Sequence, residues 1–207
     1  MTEIYLIRHS EKMRGPTNMW EVFDRIQPLS VRGEEKAKAL LELECLRNAD
    51  VAYTSPYART LSTLRYLMEA DGFSITMDQR LRELDFGGDM TKMGPPPHGG
   101  KNPHRNPNDI RARQWLDRDL ADVNGESLNQ CCARMAEAVE EIGQNNPGKK
   151  VLVGTHGAAI CAYLSSLIPG IDDDYARTLP QPSVFRLIFE EGKVTSVERL
   201  ELPEGAK

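Results

Sequence analysis

Apolar positions along this chain fall into two patterns. Short unbroken runs occur at residues 4–7 (IYLI), 51–54 (VAYT) and 151–154 (VLVG). Runs this short and continuous mark strands buried on both faces, as in a parallel sheet covered by helices. Between them, apolar residues recur at helical spacing. In LSVRGEEKAKALLEL, Ser30 is placed as a cap, Glu34 and Glu35 lie in the early turns, and Ala37, Leu40 and Leu41 share one face. In SPYARTLSTLRYLMEA, Ser55 reads as the cap and Pro56 as the first helical residue, with Leu61, Leu64 and Met68 on one side. SLNQCCARMAEAVEEI starts from Ser127 and aligns Leu128, Cys131, Met135 and Ile142, while GAAICAYLSSL is apolar nearly all round and predicts a buried helix. Strands alternating with helices predict an α/β fold with a mostly parallel sheet flanked by helices on both faces.

Two regions break the rhythm. SVFRLIFEEGKVTSVERL holds two β-rich runs joined by a turn at Gly192, which predicts a C-terminal antiparallel hairpin on one sheet edge. GGDMTKMGPPPHGGKNPHRNPND is too long and too rich in Gly, Pro and Asn for an ordinary connection. We read residues 1–207 as one domain carrying a lid or specificity insertion at about 88–124. Lys92, His98, Lys101, His104 and Arg105 in that insertion read most simply as solvated loop residues, with a lid role as the alternative.

The 207 residues are 40% hydrophobic, enough for a sizeable core. A net charge of -5 and a pI of ≈ 5.5 provide no global basic field, so neither nucleic acid nor a membrane is an expected partner and any anion site must be local. Cys45, Cys131, Cys132 and Cys161 lack metal-finger spacing and sit in helix-like runs, which suits small buried thiols in a reducing compartment. The N-terminal apolar run is too short for a signal peptide or a membrane span, so the expectation is a cytoplasmic protein. Nothing in the sequence decides the oligomeric state, homodimer included.

The ends of the three apolar runs carry the chemistry. The first ends in Arg8 and His9, the second leads into SPYAR with Arg59, and the third into THG with His156. Ligands of open α/β sheets bind beyond the carboxyl ends of the strands, where helix N-termini also point. Two arginines there favour a phosphoryl group, because the guanidinium fork matches phosphate oxygens in pairs; sulfate and carboxylate remain open. A neutral imidazole held through one nitrogen by a carbonyl presents a lone pair to phosphorus, and neighbouring arginines keep it unprotonated. Each residue also has a bland reading: Arg8 as a snorkelling strand-end arginine, His9 as a hydrogen-bonded core histidine, His156 as a turn residue. Arg59 is harder to dismiss, since a cation in the first turn of a helix opposes its dipole at a cost of roughly 0.3–1 kcal/mol unless an anion sits nearby.

With these residues in place the chain resembles the histidine phosphatase superfamily, which includes cofactor-dependent phosphoglycerate mutase and many small-molecule phosphatases. LIRHS is similar to the family's RHG motif, QPLSVRGEEKAKAL to its LTxxGxxQA segment, and YTSPYARTLSTL to SSPxxRxxQT. RLRELDFGG resembles the segment bearing the acid/base carboxylate, and NGES and VLVGTHGAAI resemble the later GES and VSHG motifs. The series runs in order over nearly the whole chain. The resemblance implies the phosphoglycerate mutase-like three-layer sandwich, His9 as the phosphorylated histidine, Arg8, Arg59 and a protonated His156 as phosphate-binding residues, and Glu83 as general acid and base; without it, Glu83 would read as a surface acid paired with Arg80 or Arg82. It further implies no metal and no cofactor, and a small phosphorylated metabolite as substrate. Ser10 departs from the usual glycine and could bring a hydroxyl to the phosphate site, and Asn18 stands too far along to take the family's early asparagine role. Three readings follow. A metal-independent phosphatase leads, because RELDFGG looks like phosphatase members; a phosphomutase and a non-catalytic phospholigand-binding protein are the alternatives.

Overall fold

The computed structural model describes residues 1–13, 25–87 and 110–207. Six strands form one sheet: β1 (Thr2–Arg8), β2 (Val51–Thr54), β3 (Ile75–Met77), β4 (Lys150–Thr155), β5 (Ser183–Glu190) and β6 (Lys193–Arg199), in the order β3-β2-β4-β1-β5-β6. The neighbours β3, β2, β4 and β1 are parallel, whereas β5 runs antiparallel to β1 and β6 antiparallel to β5. This is the predicted mostly parallel sheet with its closing C-terminal hairpin. Glu191 and Gly192 both take positive φ at the hairpin turn.

Among the described residues, the sheet is accompanied by α1 (Val31–Ala39), α2 (Ala58–Asp71), α3 (Ile110–Leu116), α4 (Leu128–Asn145), α5 (Gly157–Leu164) and α6 (Asp173–Thr178). Alternation along the strands divides the core into two. Ile4, Leu6, Val151 and Val153 pack with Leu128, Cys131, Met135 and Ile142 of α4 and Ile160 of α5. Tyr5, Ile7 and Leu152, one residue out of phase, pack on the opposite face with Leu40 and with Leu64 and Leu67 of α2. Both faces being covered explains why these strands read as unbroken apolar runs.

Helix starts follow the predicted chemistry at two of three places. Ser30 caps α1, its Oγ accepting from Gly33 N at 3.0 Å, and Ser127 forms a reciprocal capping box with Gln130 on α4. Ser55 does not cap α2. That helix begins at Ala58 after Tyr57, because Ser55 still extends β2 through its N–H to Gly154 O at 2.8 Å. Its hydroxyl is thereby left for another partner. On α2, Leu67 takes the core position that the sequence pattern assigned to Leu61, which is half-buried. Of the four thiols, all unpaired, Cys131 and Cys161 are buried and Cys45 and Cys132 half-buried. Of the predicted insertion at 88–124, residues 88–109 lie outside the described residues, as do Lys92, His98, Lys101, His104, Arg105 and Asn18; within the remainder, Gln114 of α3 donates to Glu126 O at 2.9 Å and to Leu120 O at 3.1 Å. Among the described residues no helix is long and apolar enough to cross a membrane.

The loop following β1 rests directly on α1. A Cβ at Gly33 would stand 1.9 Å from the carbonyl oxygen of Glu11. Backbone cannot yield there as a flexible side chain would. Gly33→Ala is therefore expected to lower unfolding free energy by about 1–3 kcal/mol, read from the denaturant midpoint.

Candidate active site

Strand register builds the site. Arg8 pairs with Thr155, and Thr54 pairs with Gly154, so β1, β4 and β2 end level with one another. The ladder continues one step further, with His9 N donating to Thr155 O at 3.0 Å. His9, Ser55 and His156 consequently emerge side by side. The two imidazoles stand 5.2 Å apart between centroids, in an edge-to-face arrangement.

Each side chain is held from behind. His9 Nδ1 lies 2.7 Å from Ser10 O; a carbonyl only accepts, so Nδ1 carries the proton and Nε2 the lone pair. Ser10 N donates to Thr63 Oγ1 at 2.9 Å, and that hydroxyl donates to Arg59 O at 2.7 Å, coupling the His9 loop to the first turns of α2. The Ser10 hydroxyl does not join the phosphate site, since it is buried and donates to Gly33 O at 2.7 Å. His156 Nε2 lies 2.7 Å from Ser55 Oγ, and its Nδ1 is buried without a hydrogen-bond partner. The Ser55 oxygen also accepts from Tyr57 N at 3.4 Å; in the tautomer where its own proton goes to His156 Nε2, the ring hydrogen is on Nδ1, which is then a donor. The Tyr57 ring packs 5.0 Å from His156 and lies under the Arg59 guanidinium at 4.8 Å.

Arg59, 2% exposed, and Arg8 bring two cations to this point. Arg8 Nη1 donates to Leu179 O and Pro180 O, and its guanidinium lies flat against the start of α5, where a Cβ at Gly157 would approach Cζ to 2.8 Å. Its Nε is buried without a hydrogen-bond partner. Burial lowers the Arg8 pKa, Arg59 lowers it further, and the Glu83 carboxylate acts in the opposite sense. Glu83 Oε1 accepts from Leu84 N at 2.9 Å and from Ala159 N at 3.0 Å in the first turn of α5. Its carboxylate thus sits at the N-terminus of the helix that follows His156, where a negative charge is favoured.

Glu83 is fixed in turn by residues that sequence reasoning missed. Arg134 of α4 donates through Nη1 to Arg80 O at 2.6 Å and Arg82 O at 2.9 Å, and through Nη2 to Glu83 O at 3.1 Å. It also bonds both carboxylate oxygens of Glu126, at 2.9 Å from Nε to Oε2 and through a short contact from Nη2 to Oε1, and Nη2 lies 3.2 Å from Cys131 Sγ. Thr155 Oγ1 adds a bond to Leu81 O at 2.7 Å. An arginine among the core-facing positions of α4 is the one sequence signal that could have marked this clamp. Lys12 was missed as well, although its charge acts on both imidazoles.

The electrostatics favour an anion. Burial, then Arg59 and Arg8, push His9 well below its usual pKa of 6.5; burial, then Arg59 and His9, do the same for His156. The expected protonated His156 is therefore not the state of the anion-free protein, because cations surround the ring and its nearest partner is a neutral hydroxyl. A bound dianion would reverse that balance. Among the described residues, no group of three or more His, Cys, Asp or Glu side chains could hold a metal ion.

Parallel strands ending level bring two imidazoles together with Arg8 and Arg59, beside a carboxylate that meets the first turn of the adjoining helix, a grouping suited to a phosphoryl anion. A sequence model of the histidine phosphatase superfamily (branch 1) matches residues 4–201, and the chain belongs to that family. It is 28% identical over 176 residues to a probable phosphoglycerate mutase GpmB of Serratia proteamaculans, covering 81% of this chain and 75% of that protein. It is 27% identical over 178 residues to phosphoserine phosphatase 1 of Hydrogenobacter thermophilus, covering 83% and 78%. Among solved structures it superimposes on Bacillus stearothermophilus YhfR with a TM-score of 0.69 over 100% of both chains, at 24% identity. Family and relatives together support a phosphatase or a mutase.

Two predictions follow from burial. Both imidazoles have depressed pKa values in the fold, so the unfolded chain binds more protons below pH 6.5 and anion-free stability falls as pH drops through that value. Denaturant midpoints between pH 7.5 and 5.5 should show this decline, reduced in His156→Gln and reduced by inorganic phosphate. Arg134 and Glu126 are each 10% exposed, so Arg134→Ala removes the carboxylate's two-point partner, leaving it Arg82 and Asp85 N, strips one donor from three carbonyls, and is expected to cost about 1–3 kcal/mol, read by chemical denaturation.

Proposed function

We propose that this protein is a metal-independent phosphatase that hydrolyses a small phosphorylated metabolite through a phosphohistidine on His9. One observation carries the reading. The Nδ1–H of His9 is committed to Ser10 O, leaving the Nε2 lone pair beside a second imidazole, the buried Arg59 and the half-buried Arg8. In the first step Nε2 attacks phosphorus in line, the N–P bond forms, and the P–O bond to the alcohol breaks as Glu83 gives that oxygen its proton. Arg8, Arg59 and His156 Nδ1–H neutralise charge on the equatorial oxygens. In the second step a water oxygen attacks phosphorus, the N–P bond breaks, and Glu83 takes the water's proton. His9 returns to its starting state and inorganic phosphate leaves.

The bonds from Leu84 N and Ala159 N to Oε1 orient the Glu83 carboxyl for both proton transfers. As the dianion arrives, protonation of His156 at its second nitrogen supplies a further positive charge without a metal. A phosphomutase, which hands the phosphoryl group back to the organic molecule, is the second reading, favoured by the name of the Serratia relative.

Hydrolysis of an aryl phosphate in excess chelator is expected, and rapid acid-free quenching should trap a phosphoprotein whose label disappears in His9→Ala; equal labelling in that variant would remove His9 from the role. Glu83→Gln should slow alkyl phosphates by about 10²–10⁴-fold while affecting aryl phosphates far less, since an aryl oxide leaves without a proton. Following the label separates the two readings: phosphatase chemistry ends in inorganic phosphate, mutase chemistry in a new organic ester.

A further inference from the structure

Glu83 stands in a stretch of chain that supplies few backbone partners of its own. The 3-10 segment Gln79–Leu81 ends just before it, and residues 83–87 belong to neither a helix nor a strand. Carbonyls in such a stretch must find donors elsewhere. Thr155, the residue before His156, takes Leu81 O at 2.7 Å, and Arg134 takes the carbonyls on either side of it, those of Arg80, Arg82 and Glu83. The main chain from 80 to 83 is therefore held carbonyl by carbonyl, from the end of β4 and from α4.

The Arg134 fork is fully used. Its Nη1 hydrogens go to Arg80 O and Arg82 O, its Nε hydrogen to Glu126 Oε2, and its Nη2 hydrogens to Glu126 Oε1 and Glu83 O. Glu126 closes the circuit beyond Glu83, since its Oε1 accepts from Asp85 N at 3.1 Å and its own N–H donates to Asp85 O at 2.8 Å. One ion pair thus ties the backbone before and after Glu83. The carboxyl at the centre is engaged on one side only: Oε1 accepts from Leu84 N and Ala159 N, while among the described residues no donor reaches Oε2. With Oε1 committed as an acceptor, Oε2 is the oxygen that carries the transferable proton.

We propose that Arg134 is a positioning residue for proton transfer: by fixing the main chain around residue 83 it aims Glu83 Oε2 at the oxygen to be protonated and, in the second step, at the attacking water. The proposal rests on the phosphatase reading for the role of Glu83. Proton transfer needs the two heavy atoms within about 2.6–3.2 Å, and a misplacement of about 1 Å costs on the order of 10²-fold in rate. Leu81 and Leu84 are buried on either side of the acid, so the segment stays docked without the fork. What it loses is the orientation of the peptide groups between them. The effect is one of geometry and not of charge, and a lysine at 134 separates the two, because it keeps the positive charge but has no planar fork to span several carbonyls and a carboxylate.

The measurement is the ratio of kcat/KM for an alkyl phosphate to that for an aryl phosphate, whose leaving oxygen needs no proton. Arg134→Lys should lower this ratio about tenfold, and the phosphohistidine formed from the aryl ester should persist about tenfold longer, since the same carboxylate must take the water's proton. In a Glu83→Gln background the lysine should lower the ratio no further, as two residues acting through one carboxyl are not additive. A purely structural role would reduce both esters together, so an unmoved ratio in a folded Arg134→Lys protein overturns the proposal. So does a further fall of the same size in the Glu83→Gln background. Should Arg134→Lys not fold, Glu126→Gln loosens the same fork and is held to the same two criteria. A Glu83→Gln protein with an unchanged ratio removes Glu83 as the acid, a failure of the phosphatase reading seen without any change at 134, and the positioning role falls with it.

Discussion

Everything at the site depends on the pairing register of three parallel strands. Because Arg8 is level with Thr155 and Thr54 with Gly154, a guanidinium, two imidazoles and a hydroxyl leave the sheet at one height from segments about fifty and a hundred residues apart. A slip of one residue in any of these strands would exchange its two faces. Ile4 and Leu6 would trade cores with Tyr5 and Ile7, and every one of those side chains is buried. The packing of both cores thus enforces the alignment that the chemistry uses. Burial of the sheet on both sides is what makes the register strict.

That alignment creates an electrostatic problem which only a ligand resolves. Arg8 and Arg59 lie close enough to oppose one another's charge, and both act on imidazoles already disfavoured as cations by burial. The protein answers with carbonyls and not with carboxylates: Leu179 O and Pro180 O for Arg8, Ser10 O for His9. Carbonyls orient a cation without cancelling its charge. The Glu83 charge acts on Arg8, and its Oε1 is engaged by two backbone amides, so it serves the first turn of α5 as well as the arginine. Among the described residues, carbonyls meet Arg8 and His9 where carboxylates would cancel the charge, which suits the group to a dianion.

The sheet and the phosphate end were legible in the sequence, because both rest on unbroken apolar runs that stop at charged residues. Beyond that, legibility fails for identifiable reasons. Ser55-Pro56 has the composition of a helix start, but strand pairing through Ser55 N to Gly154 O overrides it and turns a predicted cap into the partner of His156. Arg134 is invisible because three of its acceptors are backbone carbonyls some fifty residues away, which no spacing rule reports. Strand β3 is three residues long with Met77 exposed, too short to show a period, and α6 spans only six residues. Glu83 was reached by resemblance alone. Nothing in RLRELDF distinguishes it from an ordinary surface acid until Ala159 N is found bonded to it.

These two classes of contact suggest how chemistry and specificity separate in this chain. Residues at the phosphate end are anchored to strand termini and helix starts, and changing one disturbs two packed cores. Gln79 opens a 3-10 segment and Arg82 follows it, on a connection outside the sheet where substitution costs little packing. Yet the segment is not loose, since Arg134 grips the carbonyls of residues 80, 82 and 83 together. Holding residues 82 and 83 through one guanidinium fixes the backbone beside the carboxyl that meets the first turn of α5. Backbone clamping of this kind holds position 83 through main-chain atoms, so it does not depend on which side chain stands at 82.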